Sequence, residues 1–217
     1  MMTTQDRQNH IPLGLFVMTM LYGGMAVIAG VLGFKQVALG PLAVEAGIFP
    51  FLMLVVLSSS ISQHYGRDRA NRLVLWGFLP LAVSIVLIFM VLGLPPSDEM
   101  PADNINAFDT VFSQTPRIMA AGPIAYGVSL FLNVYIFDKL KGTGGDGGVW
   151  MMIRGGIASA ISQAIDSVIF ITLAFYGEFP IGSLLAGQML AKVALSFIIV
   201  PPLVYAMVAL AKVLDEK

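Results

Sequence analysis

Six stretches of roughly twenty mostly apolar residues, parted by short polar connections, constrain this 217-residue chain more than anything else in it. An α-helix needs about 20 apolar residues to cross the hydrocarbon core of a bilayer. The candidate spans cover residues 13–34, 42–62, 73–94, 118–137, 153–176 and 181–209. None alternates apolar and polar residues at period two, which argues against a membrane β-barrel. The first run is too long for the apolar part of a cleaved signal peptide and reads as a retained helix. Composition agrees: 12% of residues are charged, against about 25% in soluble domains. The expected fold is all-α, a single six-helix integral membrane bundle over residues 1–217.

Net charge of −1 gives no basis for a nucleic-acid partner, and the absence of cysteine excludes disulfides and thiolate metal sites. Lys and Arg set the orientation. Arg67, Arg69 and Arg72 follow span two, and Lys139 and Lys141 follow span four, with Arg154 at the edge of span five. Arg7 is in the head of the chain, and Lys212 and Lys217 are in its tail. The other side has Lys35, Arg117 and the acidic connection from Pro95 to Pro116. Both termini are therefore expected in the cytoplasm. The long outer connection reads as a solvated linker, with a lid over a substrate entrance as the sharper alternative.

Charged and polar side chains inside a membrane are costly and face the bundle interior. Residues three or four apart share a helix face. Span five carries Ser159, Ser162, Gln163 and Asp166 on such a face, and span six carries Gln188, Lys192 and Ser196. Span four adds Tyr126, Ser129 and Asn133, and the inner end of span two adds Ser59, Ser62 and Gln63. Four converging stripes point to a central polar site for a solute. The structural alternative is interhelical glue, with Asp166 and Lys192 forming one ion pair that pins spans five and six. Pro201-Pro202 in span six removes two N–H groups and frees the carbonyls of Phe197 and Ile198, which predicts a kink. In span one, Ala26, Ala29, Gly30 and Gly33 form small-xxx-small pairs that permit close approach, within the chain or to a partner protein.

Several motifs fail. "GTGGDGG" at 142–148 lacks the Lys-Ser or Lys-Thr of a phosphate loop and does not follow a strand. His10 and His64 lie far apart, with no metal-ligand spacing. No nucleophile–base constellation stands out. Neither a cofactor, a metal nor an enzymatic activity is expected.

"RGGIASAISQAIDSVIFITLAFYG", "AKVALSFIIVPPLVY", "HYGRDRANRLVLWGF" and "RIMAAGPIAYGVSLFLNVYIFDKLK" resemble the queuosine-precursor transporter family, also called the vitamin uptake transporter family. The resemblance extends from about Gly33 to Val213 and is most specific in the fifth span. It implies a bacterial inner-membrane carrier of deazaguanine bases, with a fold similar to the substrate-binding subunits of energy-coupling-factor vitamin transporters. Those subunits dock a partner through small residues of their first helix, which draws attention to Ala26, Ala29, Gly30 and Gly33. The chain departs from the family's usual acids: Ser59 and Gln63 stand in span two where Asp and Glu are expected, and Asn133 stands in span four where Asp is common. Glu45 is a candidate substitute.

A deazaguanine presents a ring N–H and an exocyclic amine side by side, and a carboxylate has two acceptor oxygens to match. Asp166 is the expected acceptor, with Gln163 or Asn133 donating to the ring carbonyl, Phe170 or Tyr126 stacking on the base, and Lys192 aligning the carboxylate until the ligand arrives. Ser162, Gln188, Ser59 and Gln63 complete the candidate site. The alternatives are a substrate-capture subunit of an ATP-driven importer, which needs a coupling protein, and a non-transporting structural membrane subunit. Assembly as a homo-oligomer is also open.

Overall fold

The computed structural model describes residues 11–33, 35–40, 42–113, 116–140, 148–177 and 181–216. Its helices are α1 (Leu13–Leu32), α2 (Ile48–Tyr65), α3 (Arg67–Leu92), α4 (Ala102–Phe112), α5 (Pro116–Lys139), α6 (Gly148–Phe175), α7 (Gly182–Ile198) and α8 (Val200–Asp215). A hairpin of β1 (Gln36–Leu39) and β2 (Leu42–Glu45) joins α1 to α2. Among the described residues, α1, α2, α3 and α6 are long and apolar enough to cross a membrane, and the α7–α8 pair makes a fifth span if it counts as one. With no water inside a bilayer, a helix is the structure that satisfies every backbone N–H and C=O locally.

The helices share the interior unequally. α2 is the central one: Leu54, Val55, Val56, Leu57 and Ile61 are fully buried, as are Ser58, Ser59 and Ser60. It packs against α1, α3, α5 and α8. α1 and α3 lie outside it and expose Phe16, Met20, Leu79, Val86 and Met90, the pattern of helices whose outer faces meet lipid. α6 is sandwiched by α5, α7 and α8, which brings its polar face inward.

Several expectations change in detail. Span two does not begin at residue 42. Residues 42–45 pair in antiparallel register with 36–39, Gln36 opposite Glu45 and Leu39 opposite Leu42. The turn places Gly40 at φ 58, a left-handed conformation that glycine adopts without steric cost, and the helix starts only at Ile48. Span three starts six residues early, so Arg67, Arg69 and Arg72 sit on α3 itself. The connection to it is the single residue Gly66 at φ 95. The long outer connection contains α4, an exposed helix that begins after Pro101 and lies against α3. Span six is not continuous: α7 and α8 are bent by 43° at Ile199. Pro201 and Pro202 open α8, where their missing N–H groups cost nothing. Arg154 is not an edge charge. It is fully buried, with its guanidinium 4.7 Å from the centroid of the Phe137 ring.

Phe34, Arg7, His10, Lys141, Lys217 and residues 142–147 of the glycine-rich connection lie outside the described residues. Of Glu45 and Arg117 only the backbone is described.

Candidate functional site

The polar stripes meet. Lys192 on α7 donates from Nζ to Asp166 Oδ2 on α6 at 2.7 Å. Ser129 on α5 donates to Asp166 Oδ1 at 3.3 Å, with the backbone carbonyl of Tyr126 as its alternative acceptor at 3.1 Å. One carboxylate thus ties α5, α6 and α7 together. Each partner comes from the helix face that its three- or four-residue spacing marks out.

A second polar layer lies one turn away. Asn133 donates from Nδ2 to Ser59 Oγ at 2.9 Å and reaches Ser58 Oγ at 3.4 Å, joining α5 to α2. Ser59 and Asn133, two of the positions that depart from the family's usual acids, are therefore hydrogen-bonded to each other. Gln163, one turn before Asp166, is fully buried, and neither its Oε1 nor its Nε2 has a hydrogen-bond partner among the described residues. The carbonyl oxygen of the Asn133 amide is also unpartnered. Such groups cost free energy, about 1–3 kcal/mol each, unless something polar meets them.

On the other side of the ion pair lie aromatic rings. Tyr126 meets Phe51 edge-to-face at 5.3 Å and Phe78 at 5.5 Å, and its hydroxyl lies beside that of Tyr22. Lys192 Nζ sits over the Phe51 ring, 5.5 Å from its centroid. Phe51, Phe78 and Tyr22 were not picked out by sequence, since an aromatic residue in an apolar span looks the same whether it faces lipid or a ligand.

Residual exposure separates this centre from its surroundings. Asp166 is 4% exposed, Gln188 6%, and Phe51, Tyr126 and Lys192 8% each, whereas Ser129, Asn133, Ser162 and Gln163 are at 0%. What exposure the centre keeps lies at the ion pair and its aromatic neighbours, while the second polar layer is fully buried.

The remaining candidates take separate places. Ser162 donates to the carbonyl of Ser159 within its own helix. Gln63 is half-buried at the end of α2, with its Oε1 unpartnered among the described residues. Phe170 packs edge-on against Phe175 at 6.0 Å and stands apart from the Phe51–Tyr126–Phe78 rings. Of the small residues on α1, Ala26 is buried in the core. Ala29 and Gly33 lie against Gly47, where an added Cβ would come within 2.8 Å of the Ala29 carbonyl oxygen and 3.0 Å of the Gly33 Cα. At Gly30 an added Cβ would meet open space. Three of the four thus serve packing inside this chain.

At the opposite end of the bundle, Asp215 closes α8 onto two other helices. It accepts from the Gly14 N–H at 2.8 Å and the Tyr65 hydroxyl at 2.8 Å, and pairs with His64 Nε2 at 3.3 Å.

Comparison with known proteins bears on this arrangement. The family model described as "Putative vitamin uptake transporter" matches residues 45–207, a range that holds every member of the polar site. A protein of Bacillus subtilis (strain 168) named "Probable queuosine precursor transporter" is 27% identical over 194 residues, covering 87% of this chain and 81% of that protein. No solved structure matches. With its apolar helices enclosing a buried polar centre and the family match covering most of its length, the chain belongs to the vitamin uptake transporter family and is a multi-pass membrane transporter of a small molecule, not an enzyme.

Proposed function

We propose that this protein imports a queuosine precursor, a 7-deazaguanine-type base, across the bacterial inner membrane. The observation that carries the proposal is the buried Asp166 carboxylate, held by Lys192 and Ser129 one turn from the unpartnered Gln163 amide. Acceptor and donor at that spacing suit a flat heterocycle whose one edge offers N–H groups and another a carbonyl. The name of the Bacillus relative supports the same substrate class.

In this reading the base takes both Asp166 oxygens through its ring N–H and exocyclic amine. The Gln163 amide donates to the ring carbonyl, and Lys192 gives up its place at Oδ2. A site of this kind discriminates strongly, because a poor match leaves its buried groups unpaired. α5 completes a set of six spans: residues 118–137 contain no charged side chain, and α5 packs along α6. With six spans both termini lie on one side, and the distribution of Lys and Arg supports the cytoplasm as that side. The bend at Ile199 separates α7, which carries Lys192, from α8, which Asp215 fastens to α1 and α2. α7 is thus the half able to move when the pair opens, in an alternating-access cycle.

The test is uptake of radiolabelled 7-cyano-7-deazaguanine by cells that cannot make it. Wild-type protein should confer uptake above the vector control and Asp166→Asn should not, at equal amounts in the membrane. Uptake unchanged by the substitution would remove Asp166 from recognition. The substrate-capture reading would gain instead from co-purification of an ATPase or coupling protein with an affinity-tagged chain.

A further inference from the structure

Phe51 sits in the first turn of α2, just after the hairpin, at 8% exposure. Its edge-to-face contact with Tyr126 fixes the ring. The Lys192 ammonium lies over its ring, 5.5 Å from the centroid. That ammonium is the same group that bonds Asp166. Phe51 and Asp166 therefore share one cation, which bonds the carboxylate and lies over the ring.

The other aromatic candidates are less available. Tyr126 is flanked by Phe51 and Phe78, and Phe170 is turned to Phe175. Phe51 has a polar group, the Lys192 ammonium, over its ring.

We propose that Phe51 is a substrate-positioning residue of this carrier: its ring is the platform on which the flat heterocycle lies while the N–H edge takes the Asp166 carboxylate. In the unliganded state the Lys192 ammonium occupies that place, held by the carboxylate and by the quadrupole of the ring. Substrate exchanges one cation–π contact for a stacked ring, so the platform is never left facing an empty apolar slot. The proposal rests on the nucleobase reading of the site. It adds a specificity rule: flat bicyclic solutes bind, and saturated or bulky solutes with the same N–H edge do not.

The test uses purified full-length protein and 7-cyano-7-deazaguanine, with affinity measured calorimetrically for wild type, Asp166→Asn, Phe51→Leu and Phe51→Tyr. Stacking of a base on an aromatic side chain contributes on the order of tenfold or more in affinity. Phe51→Leu, similar in bulk but without a π-face, should weaken binding about tenfold or more, and Phe51→Tyr should restore it to within about threefold of wild type. A purely structural Phe51 would instead lower the melting temperature of the unliganded Leu variant and leave its affinity unchanged once folded. Phe51→Trp supplies a direct signature: its emission should change on saturation with the base, beyond any change from the two native tryptophans. Wild-type affinity in Phe51→Leu, with Asp166→Asn inactive, would overturn the platform and leave the nucleobase reading standing. If Phe51→Leu does not fold, unchanged emission of a saturated Phe51→Trp would overturn it equally. No binding by folded wild type would overturn both.

Discussion

Removing the ammonium from Lys192 should destabilise the protein far more than breaking a surface ion pair does. Lys192 and Asp166 are 8% and 4% exposed and 2.7 Å apart. In Lys192→Met the carboxylate keeps its contact with the Ser129 hydroxyl but loses its counter-charge. An uncompensated buried charge costs about 3–5 kcal/mol, against about 0–1 kcal/mol for an exposed pair. For a chain of this size about 1 kcal/mol moves the melting temperature by roughly 2–4 °C, so the drop should be roughly 6–20 °C. The double variant Asp166→Asn with Lys192→Met removes both charges and should recover most of that loss, because replacing a buried pair by neutral groups is often close to neutral. It should bind no base. The chain has no cysteine for thiol-reactive dyes, so unfolding in detergent is best followed by the emission of Trp76 and Trp150. A Lys192→Met variant melting within about 2 °C of wild type would refute the reasoning, as would a double variant no more stable than the single.

Gln163→Leu removes a buried amide with no partner among the described residues, so thermal stability should hold or rise while affinity for the base falls about tenfold or more. A calorimetric titration beside a melting curve separates the two effects. Gly47→Ala would press a Cβ to 2.8 Å from the Ala29 carbonyl oxygen and 3.0 Å from the Gly33 Cα. Backbone atoms cannot swing away, so the cost should be about 1–3 kcal/mol, read as a lower melting temperature. Asp215→Ala deletes the acceptor for Gly14, Tyr65 and His64. Water reaches this carboxylate, which limits the loss to about 1 kcal/mol, and limited proteolysis should cut the first helix sooner.

The membrane class was legible because burial in lipid leaves an unmistakable composition, and the polar centre because intramembrane polar residues repeat at helical spacing. Asp166, Lys192 and Asn133 meet their partners on the faces that this spacing marks. Sequence placed the hairpin of residues 36–45 inside or beside an apolar run because its residues are as apolar as a helix, and the Gly40-Pro41 turn signal is short. Arg154 reads as an edge charge because its cost of burial is offset in part by Phe137, from another helix. Phe51 was invisible for the same reason: its significance lies in a cation from α7 and a ring from α5. The break at Ile199 was foreseen from Pro201-Pro202, because proline acts locally.

Recognition of a nucleobase-like solute by Asp166 is tested most directly by equilibrium binding of 7-cyano-7-deazaguanine to purified wild-type and Asp166→Asn protein. Two lost charge-assisted hydrogen bonds predict an affinity about 100-fold or more weaker in the variant, with the wild type saturating at one base per chain. Equal affinity in both, or no binding by a folded wild type, would contradict the account.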